Sequence, residues 1–139
     1  MMDYLELFNA SYSRVLEFSD EKKNFLDRFY EIFLAKSEAI ADLFDRTHMS
    51  AQKTMLQDSL FYMRDFYLHR TTNEYMQRIA EVHSKSKKNI APELYDIWLD
   101  SLVEAVREYD PQFNGDIELS WRIALSPGIT YMKFMYDNL

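Results

Sequence analysis

Apolar residues recur along most of this chain three or four positions apart, which is the spacing of a helix that buries one face. The spacing holds in six long stretches and one short stretch, and no stretch shows the sustained alternation of a strand. The pattern therefore predicts an all-α fold of six long helices plus a short one, in a single domain over residues 1–139.

Polar residues with short side chains predict where several of these helices begin. Such residues cap a helix because their oxygens accept hydrogen bonds from the first free backbone N–H groups. We expect the short helix to end at Leu43–Phe44 and the last helix to contain Pro127. The predicted starting positions are Ser19, Ser37, Ser50, Thr71 in a capping box with Glu74, and Pro92.

The composition supports helices and narrows the chemistry. Two Gly and three Pro in 139 residues are too few for a β fold with many turns. Ten Phe and ten Tyr predict an unusually aromatic core. Because the chain has no Cys, it cannot form disulfides, iron–sulfur clusters or thioether links to haem.

Charge and hydropathy argue against two classes of partner. A net charge of −7 disfavours nucleic acid and anionic membranes. No apolar run approaches the ~18 residues of a membrane span. Asp3 and Glu6 do not suit a secretory signal, so we expect a cytoplasmic protein.

The three histidines lie outside the common metal motifs. The chain lacks a Glu-x-x-His pair and a His-Glu-x-x-His helix, and two Gly cannot build a phosphate-binding loop. The common hydrolases, kinases and dehydrogenases are therefore poorly supported. From the residues alone, His83 after Ile79 and Val82 is an ordinary core or boundary residue.

Several aromatic and His-containing segments, taken in order, resemble the bacterial single-domain globins and the related globin sensor domains. The resemblance covers about residues 4 to 136. The segments are Phe29-Tyr30-Glu31-Ile32-Phe33 with Leu43-Phe44, Met49-Ser50-Ala51-Gln52-Lys53-Thr54-Met55-Leu56, Ile79-Ala80-Glu81-Val82-His83, Ile90-Ala91-Pro92-Glu93-Leu94-Tyr95-Asp96-Ile97-Trp98, and Trp121-Arg122 with Pro127-Gly128-Ile129.

The resemblance implies a globin fold around haem b, with His83 as the protein ligand of the iron. The other ring nitrogen of His83 would donate to a backbone carbonyl. Phe44 matches the aromatic residue that stacks on the haem plane, and Tyr30 and Gln52 match positions that face the gas ligand. Further haem contacts are implied for Leu56, Val82, Tyr95 and Met132.

Each of these positions also has an ordinary interpretation as core or solvated surface. His48 is either a sixth iron ligand or a solvent-facing residue, and we interpret His69 as surface. Lys85, Lys87 and Lys88 either pair with haem propionates or form a solvated corner. Some bacterial globins place a carboxylate beside the proximal His, at the position comparable to Tyr136 here. Whether Tyr136 or the adjacent Asp137 reaches the imidazole is left open.

The function implied is reversible binding of O2, and of NO or CO, at a five-coordinate iron. Oxygen binding or transport, NO detoxification and gas sensing all fit this chemistry. Oxidation of NO to nitrate would need an external electron donor, and a homodimer is left open. The alternatives are a haem-free interaction or signalling module, and a cavity that holds another ligand such as a linear tetrapyrrole.

Overall fold

The computed structural model describes residues 3–17, 24–45 and 48–139. These segments contain no strand, and the prediction of an all-α fold with six long helices and a short one is confirmed. The helices are α1 (Tyr4–Glu17), α2 (Phe25–Leu34), α3 (Glu38–Leu43), α4 (Met49–His69), α5 (Glu74–His83), α6 (Glu93–Tyr109) and α7 (Gly115–Met135).

Side-chain oxygens cap four of these helices. Each cap lies in extended backbone and accepts from the N–H group three residues later, which satisfies one of the free donors of the first turn. The prediction of Ser37 as a cap is confirmed, as is the end of α3 at Leu43 before Phe44. The four caps are Asn24, Ser37, Asn73 and Asn114.

Two predicted helix starts are wrong. Thr71 does not cap α5, because Asn73 two residues later accepts from the Met76 N–H at 2.9 Å. Ser50 lies inside α4, which follows His48 without a side-chain cap. Two further starts differ less: Pro92 precedes α6 instead of opening it, and Ser19 lies outside the described residues.

The last helix is the centre of the fold. It contacts α1, α4, α5 and α6, while α2 lies against α6. Trp121 of α7 is fully buried and packs against Phe8 of α1 with ring centroids 4.7 Å apart. The close approach of α4 and α7 depends on Gly128, where a Cβ atom would lie 3.0 Å from Met63 Cγ.

A buried polar network ties α1 to the far end of the chain. The Trp121 indole donates to Ser11 Oγ at 2.9 Å, and Ser11 Oγ donates to Asp110 at 2.6 Å. The Arg14 guanidinium donates to both oxygens of Asp110, at 2.7 and 2.9 Å. The buried carboxylate is thus paired, as burial of a charge requires.

None of the helices in the described segments combines the length and the apolar character that crossing a membrane would take.

Candidate functional site

A cavity of about 370 Å³ lies among α2, α4, α5, α6 and α7. Its volume falls in the range of pockets that hold small organic ligands, about 300–1,000 Å³. Its walls are mostly apolar and aromatic. The predicted site residues that line it are Tyr30, Phe44, Gln52, Leu56, His83, Tyr95 and Met132.

Val82 does not line the cavity, although we predicted that it would contact a ligand there. The side chain of Val82 points about 100° away from that of His83 around α5, and it lies off the cavity wall. Ile79, one turn before His83, occupies the corresponding place on α5.

Other residues that line the cavity were not predicted, although their helical spacing indicates several of them. Ser59 and Met63 follow Leu56 by three and seven positions on α4. Trp98 follows Tyr95 by three positions on α6, and Ile129 precedes Met132 by three on α7. Each lies on the helix face that a predicted site residue already marked.

His83 is the last residue of α5 and brings an imidazole to the cavity wall. Burial, with a smaller effect of the Lys88 charge, lowers the pKa of His83 to about 4, so the ring is neutral at neutral pH. Its Nδ1 lies 3.1 Å from the Tyr95 hydroxyl. The expected backbone carbonyl partner for this ring is therefore wrong, and a tyrosine takes its place.

The Tyr30 side chain is buried and contributes a hydroxyl to the α2–α4 side of the cavity. This hydroxyl donates to the backbone carbonyl of Gln52 at 3.2 Å. Burial raises the pKa of Tyr30 to about 12, so the group remains a donor. The ring packs edge-on against Phe29 and Phe44, with centroids 4.8 and 5.9 Å away.

A second hydroxyl pair, which no pattern in the sequence predicts, lies between α4 and α5. Ser59 Oγ and Tyr75 Oη are 3.0 Å apart, and both residues line the cavity. The Tyr75 hydroxyl also donates to the Met55 carbonyl at 3.3 Å. The Tyr75 ring stacks on Tyr62, with centroids 4.5 Å apart and planes 14° apart.

The remaining histidines lie away from the cavity. His48 is exposed before α4 and is not part of the wall. His69 is exposed and lies 3.3 Å from Asp65. Within the described part of the chain, Tyr136 contacts the loop after α5: its hydroxyl donates to Asn89, and its carbonyl accepts from the Lys85 N–H at 2.9 Å.

The side chains around the cavity favour a metal that is already held within a cofactor over a bare metal ion. Within the segments that the structure describes, no group of three or more His, Cys, Asp or Glu side chains is placed to hold a bare ion. His83 offers one neutral imidazole in an apolar, aromatic surrounding. That combination would suit a flat apolar macrocycle whose metal takes one ligand from the protein.

The chain has a relative of known structure. No protein-family model matches the sequence, and no curated protein matches it either. Among solved structures, the chain matches a crystal structure of a Pseudomonas aeruginosa protein described as structurally highly homologous to a human haemoglobin. The two sequences are 32% identical, the match covers 96% of this chain and 98% of that chain, and the TM-score is 0.87.

Proposed function

This chain belongs to the bacterial single-domain globins, and on that basis we propose that it holds haem b in the cavity, with His83 as the iron ligand, and binds O2 reversibly. NO and CO are the other expected ligands. When bound, the haem iron supplies the reversible coordination of a diatomic gas. All other contributions come from the side chains around the cavity.

The observation that carries the proposal is the state of His83. Its Nδ1 is engaged by the Tyr95 hydroxyl, whereas its Nε2 has no hydrogen-bond partner in the described chain. Its low pKa keeps the imidazole neutral, which is the form that binds a metal. With Nε2 reserved for iron, the proton lies on Nδ1 and is donated to Tyr95, so this bond fixes the tautomer and the rotation of the ring.

The other walls of the cavity have two tasks. Phe44, Leu56 and Met132 exclude water, which slows the oxidation of ferrous iron. Tyr30 and Gln52 supply hydrogen-bond donors on the α2–α4 side, where a gas ligand with partial negative charge would accept them. Two such donors in an apolar pocket raise the affinity for O2 relative to the affinity for CO.

Optical spectra of the purified protein test the proposal. We expect oxidised, reduced and CO-bound spectra of haem b, with the haem removable by acid solvent. His83→Ala should lose most of the haem and regain it with added imidazole, whereas the exposed His69→Ala should behave as wild type. A normal ferrous–CO spectrum in His83→Ala would show that the assigned ligand is wrong. A colourless protein that takes up no added haem would favour the haem-free module.

The coordination of the reduced iron provides a second test. Because His48 is exposed and Gln52 binds ferrous iron poorly, we expect the reduced, ligand-free protein to be five-coordinate. A six-coordinate low-spin spectrum that disappears in His48→Ala would contradict this expectation and make His48 the sixth ligand.

A further inference from the structure

The Ser59–Tyr75 hydroxyl pair has no task in the proposed function. It lies where α4 and α5 meet at the edge of the cavity. Met55 lines the cavity beside it and is 43% exposed, so this edge is open to solvent. A polar group bound here would therefore keep part of its hydration.

The present partners of the pair are weak ones. At 3.3 Å, the contact from the Tyr75 hydroxyl to the Met55 carbonyl exceeds the usual 2.5–3.0 Å of an O–H···O hydrogen bond. In the α-helical ladder of α4, that carbonyl is also the acceptor for the Ser59 N–H. Turning the Tyr75 hydroxyl away thus leaves no backbone group without a partner.

Two hydroxyl donors 3.0 Å apart suit a carboxylate, because each can donate to one of its two oxygens. We propose that Tyr75 and Ser59 bind a carboxylate at the α4–α5 edge of the cavity. Since this rests on the proposed function, the carboxylate is one of the two propionates of the haem.

The charges near Tyr75 oppose each other, so recognition of the carboxylate depends on the two hydroxyls. Burial raises the pKa of Tyr75, so it stays protonated as a donor, while Asp58 and Arg78 act on it with opposite signs. Lys88 also lines the cavity and is available to the other propionate. The two carboxylates thus have separate partners.

Comparing haem with its dimethyl ester, in which both carboxylates are blocked, isolates the proposed contact. Apoprotein is loaded with either compound, and transfer to a scavenger globin gives the dissociation rate. We expect Tyr75→Phe to speed loss of haem about tenfold, near the low end for a hydrogen bond to a charged group. Ser59→Ala should act in the same direction more weakly. Neither variant should change loss of the ester.

Tyr62→Phe is the matched control, because it removes a hydroxyl from the ring stacked on Tyr75 but not from the cavity wall. It should release both compounds at the wild-type rate. Equal effects of Tyr75→Phe on haem and ester, or no effect on either, would overturn the carboxylate site and leave haem binding intact. If Tyr75→Phe loses its helical circular dichroism, Ser59→Ala decides by the same comparison. Wild type that takes up neither compound would overturn the proposed function, and this inference with it.

Discussion

Replacing Tyr30 by Phe should speed O2 release from the haem-loaded protein about tenfold while leaving CO release nearly unchanged. The substitution removes one oxygen atom and keeps the ring, so the contacts with Phe29 and Phe44 persist. O2 at a ferrous haem carries partial negative charge and accepts a hydrogen bond well, whereas CO carries much less. Loss of the hydroxyl should therefore weaken the binding of O2 and leave the binding of CO nearly unchanged.

The size of the effect on O2 release depends on the hydrogen bond that the Tyr30 hydroxyl must break in order to donate to O2. In the structure it donates to the Gln52 carbonyl at 3.2 Å, a neutral bond of about 0.5–1.5 kcal/mol. A bond to a charged acceptor is stronger, about 1.5–3 kcal/mol. The difference is about 1–1.5 kcal/mol, and each ~1.4 kcal/mol is tenfold in dissociation. The existing bond thus limits an effect that the sequence alone would place as high as a hundredfold.

Stopped-flow replacement of O2 by CO measures the release rate, and Tyr62→Phe serves as a control for loss of a tyrosine hydroxyl elsewhere. Gln52→Leu should speed O2 release less, because its flexible amide loses more freedom on bonding and its backbone carbonyl is unaltered. The double variant should fall short of the product of the single effects if both donors bind the same ligand. Unchanged O2 release in both single variants would leave Tyr30 and Gln52 as packing residues.

Three further substitutions probe the wall and its supports. Phe44→Ala should lower the free energy of unfolding by about 3 kcal/mol, the low end for a truncated Phe, because the ring is only partly buried. It should also speed haem transfer to a scavenger globin, and unchanged haem retention would place Phe44 outside the site. Burial alone would raise the pKa of Asp110, but the hydrogen bonds from its arginine, serine and backbone partners lower it by more. The net shift of this pKa is therefore downward. Its contribution is thus complete above about pH 4 and is lost as pH falls through the folded-state pKa; Asp110→Asn should cost about 3 kcal/mol in urea unfolding at pH 7 and show a smaller loss on acidification. Gly128→Ala should gain about 1 kcal/mol of stability from helix propensity but lose about 1–3 kcal/mol by crowding Met63, so the thermal unfolding temperature should fall. Gly115→Ala is the control, because Gly115 has open space around it and its replacement should cause no such loss.

The helices could be predicted from the sequence because each buries one face, and burial imposes a period that is visible residue by residue. The starting residues were harder. Thr71 and Asn73 both have a side chain that can cap α5, and local chemistry does not distinguish them. The choice depends on where the chain leaves α4, and that is fixed by packing between helices.

The site shows the same difference between features that lie on one helix and features that depend on the packing of two helices. The resemblance and helical spacing indicated the residues that line the cavity, since each belongs to one helix face. The pairing of His83 with Tyr95, and of Ser59 with Tyr75, joins side chains of different helices. Such pairs depend on the angle and distance between two helices, which a single sequence does not encode in any local pattern.

The polar network around Ser11 has a consequence for how the chain is made. Ser11 receives its indole partner from Trp121, 110 positions later, and α1 packs chiefly on α7. At about 5–20 residues per second, a ribosome takes about 5–20 s to travel from the end of α1 to the start of α7. Throughout that interval the apolar face of α1, with Phe8 and Val15, has no surface of α7 to cover it. Helix α1 is thus made long before α7 but reaches its final place only after α7 exists, so a nascent chain stalled before α7 leaves the apolar face of this amphipathic helix exposed.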